Sequence, residues 1–214
     1  MQIQSSFRAE RASGSGAFPA SPAAGMQASA VTLYPTDATI YAQGDATGPL
    51  CLVEFGTVRI CRMTADGRRQ ITGFLTAGDV FGFEAGSEHE SCAESVDGAG
   101  VRVLRSAAGS EPTGAMLQMA LRTLARTQHQ LVLLGCRSAN MRMAAFIADF
   151  SERQGDERRV RLSMQRNDIA DYLGLTFETV SRTLRYLKDE GIIRLKSTSD
   201  IEILDRNALD GLCE

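Results

Sequence analysis

The feature that most constrains the fold is residues 168–193, which read DIADYLGLTFETVSRTLRYLKDEGII. Apolar residues in this segment follow the 3.6-residue period of two short helices. Gly174 stands between them, where a helix often ends on a left-handed residue. Thr176 follows at an N-cap position, because its hydroxyl can accept a hydrogen bond from a backbone N–H of the next turn. The pattern predicts two helices joined by a tight turn.

The second predicted helix has two different faces. Val180, Leu184 and Leu187 recur at i, i+4 and i+7, so they are expected to pack on the first helix. Polar side chains recur along another side of the helix: Glu178, Ser181, Arg182 and Arg185. A short helix, a glycine-bearing turn and a helix with an arginine-bearing outer face are typical of a helix-turn-helix.

That polar face suits the reading of DNA bases. An arginine fork can donate two hydrogen bonds to guanine, and a glutamate can accept one from cytosine. The predicted base contacts are Glu178, Ser181 and Arg182, and the predicted phosphate contacts are Arg166, Thr176, Thr179, Arg185 and Lys188. Glu178 and Arg182 could instead be an i, i+4 ion pair on any solvated helix. The turn, the apolar spacing and the following segment favour the DNA-binding interpretation.

The residues after the second helix predict a β-hairpin. An apolar run at 192–195, a polar turn at 196–200 and an alternating run at 201–204 have the pattern of two short strands. A hairpin in this position is a wing, so residues 139–214 are predicted to form a winged helix-turn-helix domain. A charged loop is expected at 152–161.

The first half of the chain changes character at residue 30. Residues 1–29 are rich in Ser, Ala, Gly and Pro, which predicts a disordered tail. Residues 30–110 contain short β-type runs separated by glycines. Two strands joined by a glycine-bearing turn are expected at 50–63, and Asp66-Gly67 is a further hairpin signal. Many short strands at regular spacing predict an antiparallel barrel or roll.

A helical period returns in residues 111–138. Leucines recur along it seven residues apart or at adjacent heptad positions: Leu117, Leu121, Leu124, Leu131 and Leu134. Such a stripe predicts a coiled-coil seam between two chains, although the helix could instead pack on its own barrel. A homodimer suits a helix-turn-helix, because paired recognition helices read a palindrome. Residues 140–150 predict one more amphipathic helix.

Composition narrows the function further. The net charge is −3, so any DNA binding has to come from local arginine placement. No apolar run is long enough to span a membrane, and nothing at the N-terminus has the pattern of a secretory signal, which predicts a cytoplasmic protein. The five widely spaced cysteines are expected to be reduced. No nucleotide-binding loop or nucleophile motif occurs, so no enzyme activity and no catalytic residue are expected.

From about residue 30 onward, the order of these parts resembles the CRP/FNR superfamily of bacterial transcription regulators. The matching motifs are Gly44-Asp45, Val58 to Ile60, Asp66 to Gln70, Gly78 to Gly82 and Asp168 to Thr176. Glu178, Ser181 and Arg182 together are similar to the FixK-like branch. The resemblance implies an α+β fold, with a cyclic-nucleotide-binding-like β-roll at 30–110, a dimerisation helix at 111–138 and the winged helix-turn-helix.

The resemblance also implies a function. Glu178, Ser181 and Arg182 would read TTGAT-type half-sites in palindromic double-stranded DNA. The homodimer would recruit RNA polymerase as an activator of genes for low-oxygen respiration or nitrogen metabolism. Binding and recruitment would be the whole mechanism, with no chemistry catalysed.

Residues 78–96 argue against a nucleotide ligand. By resemblance, Phe83 stands where nucleotide-binding members carry a ribose-binding Glu, and Ser91 or Cys92 where they carry a phosphate-binding Arg. Several acidic residues crowd the same segment and would repel a phosphate: Glu84, Glu88, Glu90 and Glu94.

No cofactor or metal is expected. An iron–sulfur cluster needs converging thiolates, whereas no two of the cysteines have C-x-x-C spacing, and haem would have only His89 and His129. Cys51 and Cys61 lie in apolar runs as expected small core residues, and a redox role stays open for Cys92 and Cys213. Two alternatives remain: a regulator of this architecture that senses a ligand or redox state, and a redox or cyclic-nucleotide module that does not bind DNA.

Overall fold

A computed structural model describes residues 26–106 and 114–213 of the 214-residue chain. Its elements, in chain order, are β1 Met26–Tyr34, β2 Thr39–Tyr41, β3 Leu50–Phe55, β4 Val58–Met63, β5 Arg69–Leu75, β6 Val80–Phe81, β7 Cys92–Ser95, β8 Ala99–Ser106, α1 Gly114–Gly135, α2 Ala139–Gln154, β9 Arg159–Arg161, α3 Arg166–Leu173, α4 Phe177–Asp189, β10 Ile193–Leu195, β11 Asp200–Ile203 and α5 Arg206–Gly211. None of the helices in these ranges combines the length and apolarity needed to cross a membrane.

Strands β1 to β8 build the predicted β-roll. They form two four-stranded sheets, ordered β1-β8-β3-β6 and β2-β7-β4-β5, and every pairing is antiparallel. Apolar side chains from both sheets, including Val53, Val58 and Ala93, fill the interior between them. The alternation of apolar and polar residues along short strands therefore predicts the architecture correctly.

The connection within residues 50–63 differs from the expected hairpin. β3 and β4 belong to different sheets, so the turn between them passes from one side of the roll to the other. Gly56 makes this turn at φ +80°, and a Cβ there would collide with the carbonyl oxygen of Gly98. The hairpin signal at Asp66-Gly67 is confirmed, since β4 pairs with β5 across it.

Two strands of the roll were not expected from the sequence. β1 begins at Met26, inside the segment predicted as a tail; residues 1–25, the rest of that tail, lie outside the described residues. β7 lies in the acid-rich segment and pairs with both β2 and β4. Only alternate residues of β7 are buried, Ala93 and Ser95, and four residues offer too short a pattern to recognise.

The predicted dimerisation helix corresponds to α1. Its described part begins at Gly114, and the helix ends at Gly135. Ser138 then caps α2, because its hydroxyl oxygen accepts a hydrogen bond from the backbone N–H of Met141 at 3.1 Å. One side of α1 packs on the roll through buried Leu133 and through Gln130, which donates to the carbonyl oxygen of Ile71 at 3.2 Å.

The C-terminal part of the chain contains the predicted helix-turn-helix and hairpin. β10 and β11 pair as expected. The interpretation of 152–161 as a charged loop is wrong in part, because β9 joins the sheet as a third strand in the order β10-β11-β9. Val160 explains this strand, since it is fully buried between two exposed arginines.

One hydrophobic cluster joins the two halves of the chain, in addition to the clusters of the roll itself. Phe74 of the roll packs against Phe146, Phe150 and Tyr172, with ring centroids 6.4, 6.1 and 5.2 Å away. The same cluster continues through the buried side chains of α3 and α4 to Leu209 of α5. The helix-turn-helix is therefore seated on the roll by direct packing as well as by the chain connection.

Candidate nucleic-acid interface

The helix-turn-helix is built by local signals in the sequence. α3 ends at Gly174, which adopts the left-handed conformation with φ 62° and ψ 42°. Thr176 then caps α4, and its Oγ1 accepts a hydrogen bond from the backbone N–H of Thr179 at 3.2 Å. Val180 and Leu187 are fully buried against the core. The sequence predicts each of these features, and the structure confirms the two helices and their turn.

The outer face of α4 presents the predicted base contacts. Glu178 and Arg182 are exposed, and Ser181 between them is half-buried. The hydroxyl of Ser181 accepts a hydrogen bond from Nη1 of Arg166 at 3.2 Å, which links α4 to the start of α3. Nη2 of Arg182 donates to Oγ1 of Thr179 at 3.3 Å.

The predicted phosphate contacts border the same face. Arg185 and Lys188 continue along α4 and are exposed, whereas Thr179 and Arg166 are half-buried. Thr176, at the N-terminus of α4, is exposed although its hydroxyl serves as the cap. The structure therefore brings all eight predicted DNA contacts together around α4.

Glu178 is prepared to act as an acceptor. A hydrogen bond from its own backbone N–H, with further help from the Thr176 hydroxyl and the charge of Arg182, lowers the pKa of the Glu178 carboxyl. An exposed glutamate is ionised at neutral pH, where its carboxylate can only accept hydrogen bonds. This is the chemistry needed to read a cytosine amino group in the major groove.

Phe177 was not among the predicted contacts. It is the first residue of α4, and 45 % of it is exposed beside Glu178. An apolar side chain at the N-terminus of a recognition helix can contact the methyl group of thymine. Its signal in the sequence is positional only, because it directly follows the N-cap and precedes Glu178 at the N-terminus of the recognition helix.

Another side of the helix-turn-helix meets two arginines of the roll that are already paired. Asp168 in α3 is buried and accepts hydrogen bonds from Nη1 of Arg59 at 3.0 Å and Nη2 of Arg69 at 2.6 Å. Nε of Arg69 also donates to Asp171 at 2.9 Å. We refer to these four residues, which join the roll to α3, as the interdomain clasp.

Arg59 is the most buried cation of the clasp. Its guanidinium also reaches Glu94 at 2.7 Å and Asp37 at 3.0 Å. Burial lowers the pKa of Arg59, but the hydrogen bond to Glu94 and the charges of Asp168, Glu94 and Asp37 raise it, and the net shift is upward. The guanidinium therefore stays charged, and its fork is fully occupied within the chain.

The leucine stripe of α1 is exposed along most of its length. Leu117, Leu121, Leu124 and Leu131 follow heptad a and d spacing, and each is between 52 % and 65 % exposed. Leu134 flanks the stripe and is half-buried, with its Cδ2 3.7 Å from where a Cβ of Gly174 would stand. A helix that exposes four heptad leucines has an apolar face without cover in a single chain.

The acid-rich segment after β6 is packed by its own side chains. His89 is buried, stacks on Tyr41 with ring centroids 3.7 Å apart, and lies 3.2 Å from Glu84. Phe83, at the position that resemblance assigns to a ribose-binding glutamate, packs with Val80 and the roll. Ser91 is half-buried beside the Tyr41 hydroxyl.

The cysteines differ from the expectation of five reduced thiols. Cys61 and Cys92 form a disulfide, with a Cα–Cα distance of 5.2 Å. Cys51 is a buried core thiol, and burial raises its pKa to about 11. Burial, followed by the charge of Asp210, also raises the pKa of Cys213. A raised pKa leaves less thiolate, so Cys213 is poorly suited to the redox role considered for it.

A cavity of about 330 Å³ lies between the roll and the helices. Its lining includes Arg126 of α1, Arg153 of α2 and Tyr172 of α3. Both arginines pair with buried Asp79, at 2.5 Å and 3.3 Å, and Arg153 also pairs with Asp149 at 3.6 Å, so two carboxylates match the two charges.

Two family models match the chain. Residues 31–97 match the cyclic nucleotide-binding domain, and residues 141–212 match the Crp-like helix-turn-helix domain. The second match covers the interface described above. The match to the cyclic nucleotide-binding domain, at residues 31–97, lies within the β-roll.

Curated relatives and solved structures agree with these matches. The nitrogen fixation regulation protein FixK of Rhizobium meliloti is 43 % identical over 183 residues, which is 86 % of this chain and 87 % of that protein. The fumarate and nitrate reduction regulatory protein of Escherichia coli is 34 % identical over 171 residues, 74 % of this chain and 68 % of that protein. The structure of FixK2 from Bradyrhizobium japonicum superposes with a TM-score of 0.79 at 34 % identity, covering 88 % of this chain and 98 % of that one.

Proposed function

The chain is a transcription regulator of the CRP/FNR superfamily, in its FixK-like branch, and we propose that it binds palindromic promoter DNA as a homodimer. Members of this family regulate transcription without catalysing a reaction. The proposed half-sites are of the TTGAT type. The proposed outcome is recruitment of RNA polymerase to genes of low-oxygen respiration or nitrogen metabolism, in the bacterial cytoplasm.

The observation that carries the proposal is the division of α4 into two faces. Val180 and Leu187 anchor one face in the core, while Glu178 and Arg182 are exposed on the other. Ionised Glu178 and the Arg182 fork offer an acceptor and a pair of donors one helical turn apart. That combination can tell one base pair from another in the major groove.

Each contact has a separate proposed role. Glu178, Ser181 and Arg182 read base edges. Phosphates are bound around them by Arg166, Thr176, Thr179, Arg185 and Lys188. Phosphate contacts set the register of α4 on the duplex, and base contacts supply the sequence preference.

The exposed stripe of α1 supports the dimer. Burying four leucines that are each more than half exposed would contribute several kcal/mol at about 25 cal/mol per Å² of apolar surface. The heptad spacing favours a second copy of the same helix as the cover. Leu124→Lys should therefore shift the protein toward monomer in sedimentation, whereas Arg122→Lys, at an exposed neighbour, should not.

The experiment that tests the proposal is binding of the purified, reduced, ligand-free protein to a TTGAT-N4-ATCAA duplex and to a scrambled duplex. Fluorescence anisotropy at physiological salt should give a clear preference for the palindrome. Arg182→Ala should remove most of that preference. Arg105→Ala deletes an exposed arginine from β8 in the roll and serves as the matched control.

A second candidate is an effector-sensing regulator of the same architecture. The cavity between the roll and the helices favours it, because it touches α1, α2 and α3 at once. A ligand bound there would shift the position of the helix-turn-helix relative to the dimer helix. Equal affinity of the ligand-free protein for both duplexes would favour this candidate over the first.

A further inference from the structure

One cysteine pair lies where the roll meets the helix-turn-helix. Cys61 on β4 and Cys92 on β7 are cross-strand partners, and so are Arg59 and Glu94 two residues away. Side chains two apart on a strand point to the same face of the sheet. The disulfide therefore shares a sheet face with the Arg59–Glu94 ion pair, and Arg59 reaches from that face to Asp168.

We propose that Cys61 and Cys92 form a reversible thiol–disulfide site that sets how firmly the roll holds the helix-turn-helix. In the oxidised form the sulfur–sulfur bond ties β4 to β7 directly beside Arg59. Glu94 on β7 then holds the Arg59 guanidinium in position for Asp168. Reduction removes the covalent tie between the two strands, so the interdomain clasp loosens.

The shared core gives this site a second route to the DNA-binding half. Cys61 is 1 % exposed and belongs to the hydrophobic cluster that contains Ile169 and Leu173 of α3. Cys92 packs against the same cluster. Ile60 and Ala93, which lie between the two cross-strand pairs, pack instead toward the interior of the roll. A change at the cysteines therefore acts on the face that meets α3.

The exposure of each cysteine to solvent decides which one a peroxide oxidises first. Cys92 is half-buried, whereas Cys61 is enclosed, so a small hydroperoxide reaches Cys92 first. Cys92 attacks the peroxide oxygen, the O–O bond breaks, an alcohol leaves, and a sulfenic acid forms. Cys61 then attacks the Cys92 sulfur, and water leaves. Together the two thiols lose two protons and two electrons, and a small dithiol returns them by exchange.

A metal ion fits the same residues less well. Glu94 is the third group near the two sulfurs, which gives a set of three possible ligands. Structural zinc sites take four ligands. The Glu94 carboxylate is also hydrogen-bonded to Nε of Arg59 at 2.7 Å. Binding zinc would take Glu94 away from the guanidinium that it orients.

The first test counts thiols. Reduced protein is treated with hydrogen peroxide, denatured and alkylated, and its mass is then measured by mass spectrometry. Because the chain has five cysteines, of which Cys51, Cys136 and Cys213 are free, oxidised protein should take up three alkyl groups and dithiol-treated protein five. Peptide mapping should link Cys61 to Cys92. A triple variant, Cys51→Ser with Cys136→Ser and Cys213→Ser, retains only the pair and should switch between no alkyl groups and two.

The second test asks whether the pair acts on α3. Hydrogen exchange of the triple variant should be about tenfold faster in α3 when it is reduced than when it is oxidised. The sheet β1-β8-β3-β6 should change less. Cys92→Ser should exchange at the faster rate under both conditions. DNA is absent from both tests, so their outcome is independent of the proposed function.

Three results would overturn the proposal. If both thiols of the triple variant can still be alkylated after peroxide treatment, no disulfide forms between Cys61 and Cys92. One equivalent of zinc bound per chain would make the thiolates metal ligands. Equal acceleration of all amides on reduction would mean that the disulfide acts on global stability alone.

Discussion

Arginines lie on two sides of the helix-turn-helix, and they have different roles: those of the roll meet its inner side, and those of α4 form its outer side. On the side that faces the roll, Arg59 and Arg69 hold Asp168, and their forks are filled by carboxylates of the same chain. On the outer side, Arg182 and Arg185 are exposed, and among the described residues neither has a carboxylate within ion-pair distance.

This difference shows why an arginine count says little about DNA binding. A buried arginine with two or three carboxylates is a structural cross-link, since its charge is neutralised where it stands. An exposed arginine whose fork is free retains its capacity for guanine or phosphate. Only the environment of each side chain separates the two classes, and the following predictions test that separation.

The largest expected effect is on stability, from Asp168→Asn. The change removes the charge that Arg59 and Arg69 share and leaves both guanidiniums beside a neutral group. Because Asp168 is buried, the free energy of unfolding should fall by about 3 kcal/mol in urea titration. Glu90→Gln, in an exposed pair with Arg62 at 3.4 Å, should leave the urea midpoint unchanged. Equal stability of wild type and Asp168→Asn would mean that the clasp contributes nothing.

The next effect is on sequence preference, from Arg182→Ala. Loss of its fork should reduce discrimination between palindrome and scrambled duplex by about 1–3 kcal/mol. Stability should stay within about 0.5 kcal/mol of wild type, because the side chain is exposed. A variant that unfolds more easily but still prefers the palindrome would place Arg182 in the same class as Arg59.

Thr176→Ala should have an intermediate effect on both properties. Its hydroxyl caps α4, so removing it should cost about 1 kcal/mol of folding free energy. Thr176→Ser retains the cap oxygen and should behave like wild type in thermal unfolding. If Thr176→Ala changed DNA affinity and left stability unchanged, the cap hydrogen bond would contribute nothing to the free energy of folding.

The smallest effect is expected from Lys188→Ala. An exposed lysine that contacts a phosphate adds affinity for every sequence alike, so palindrome and scrambled duplex should weaken together. The slope of log affinity against log salt should fall by about one. Arg105→Ala, in the roll, should leave the slope unchanged. A reduced preference for the palindrome would instead assign Lys188 to base reading.

The parts of the fold that sequence predicts are those built from neighbouring residues. Gly174, Thr176 and the spacing of Val180 and Leu187 specify the turn and α4 within about fifteen residues of chain, because caps and helical periods are local. The alternation in β10 and β11 gave the wing hairpin for the same reason. Their geometry follows from steric and hydrogen-bonding rules that act over a few residues.

The parts that sequence does not predict depend on distant partners. Cys61 and Cys92 are 31 residues apart, and only the pairing of β4 with β7 makes them neighbours. Arg59 and Asp168 are 109 positions apart, so no local pattern marks them as partners. β7 itself was missed because four residues with a polar alternate face resemble a loop. Long-range register is set by the packing of the whole roll.

The core that Phe74 shares with Phe146, Phe150 and Tyr172 affects how the protein unfolds. Two separately recognisable domains usually melt in two steps, but here neither half can open without exposing this aromatic cluster to water. We expect a single calorimetric transition whose van't Hoff and calorimetric enthalpies agree. A fragment that begins at residue 139 would expose this aromatic surface to water, so we expect it to aggregate.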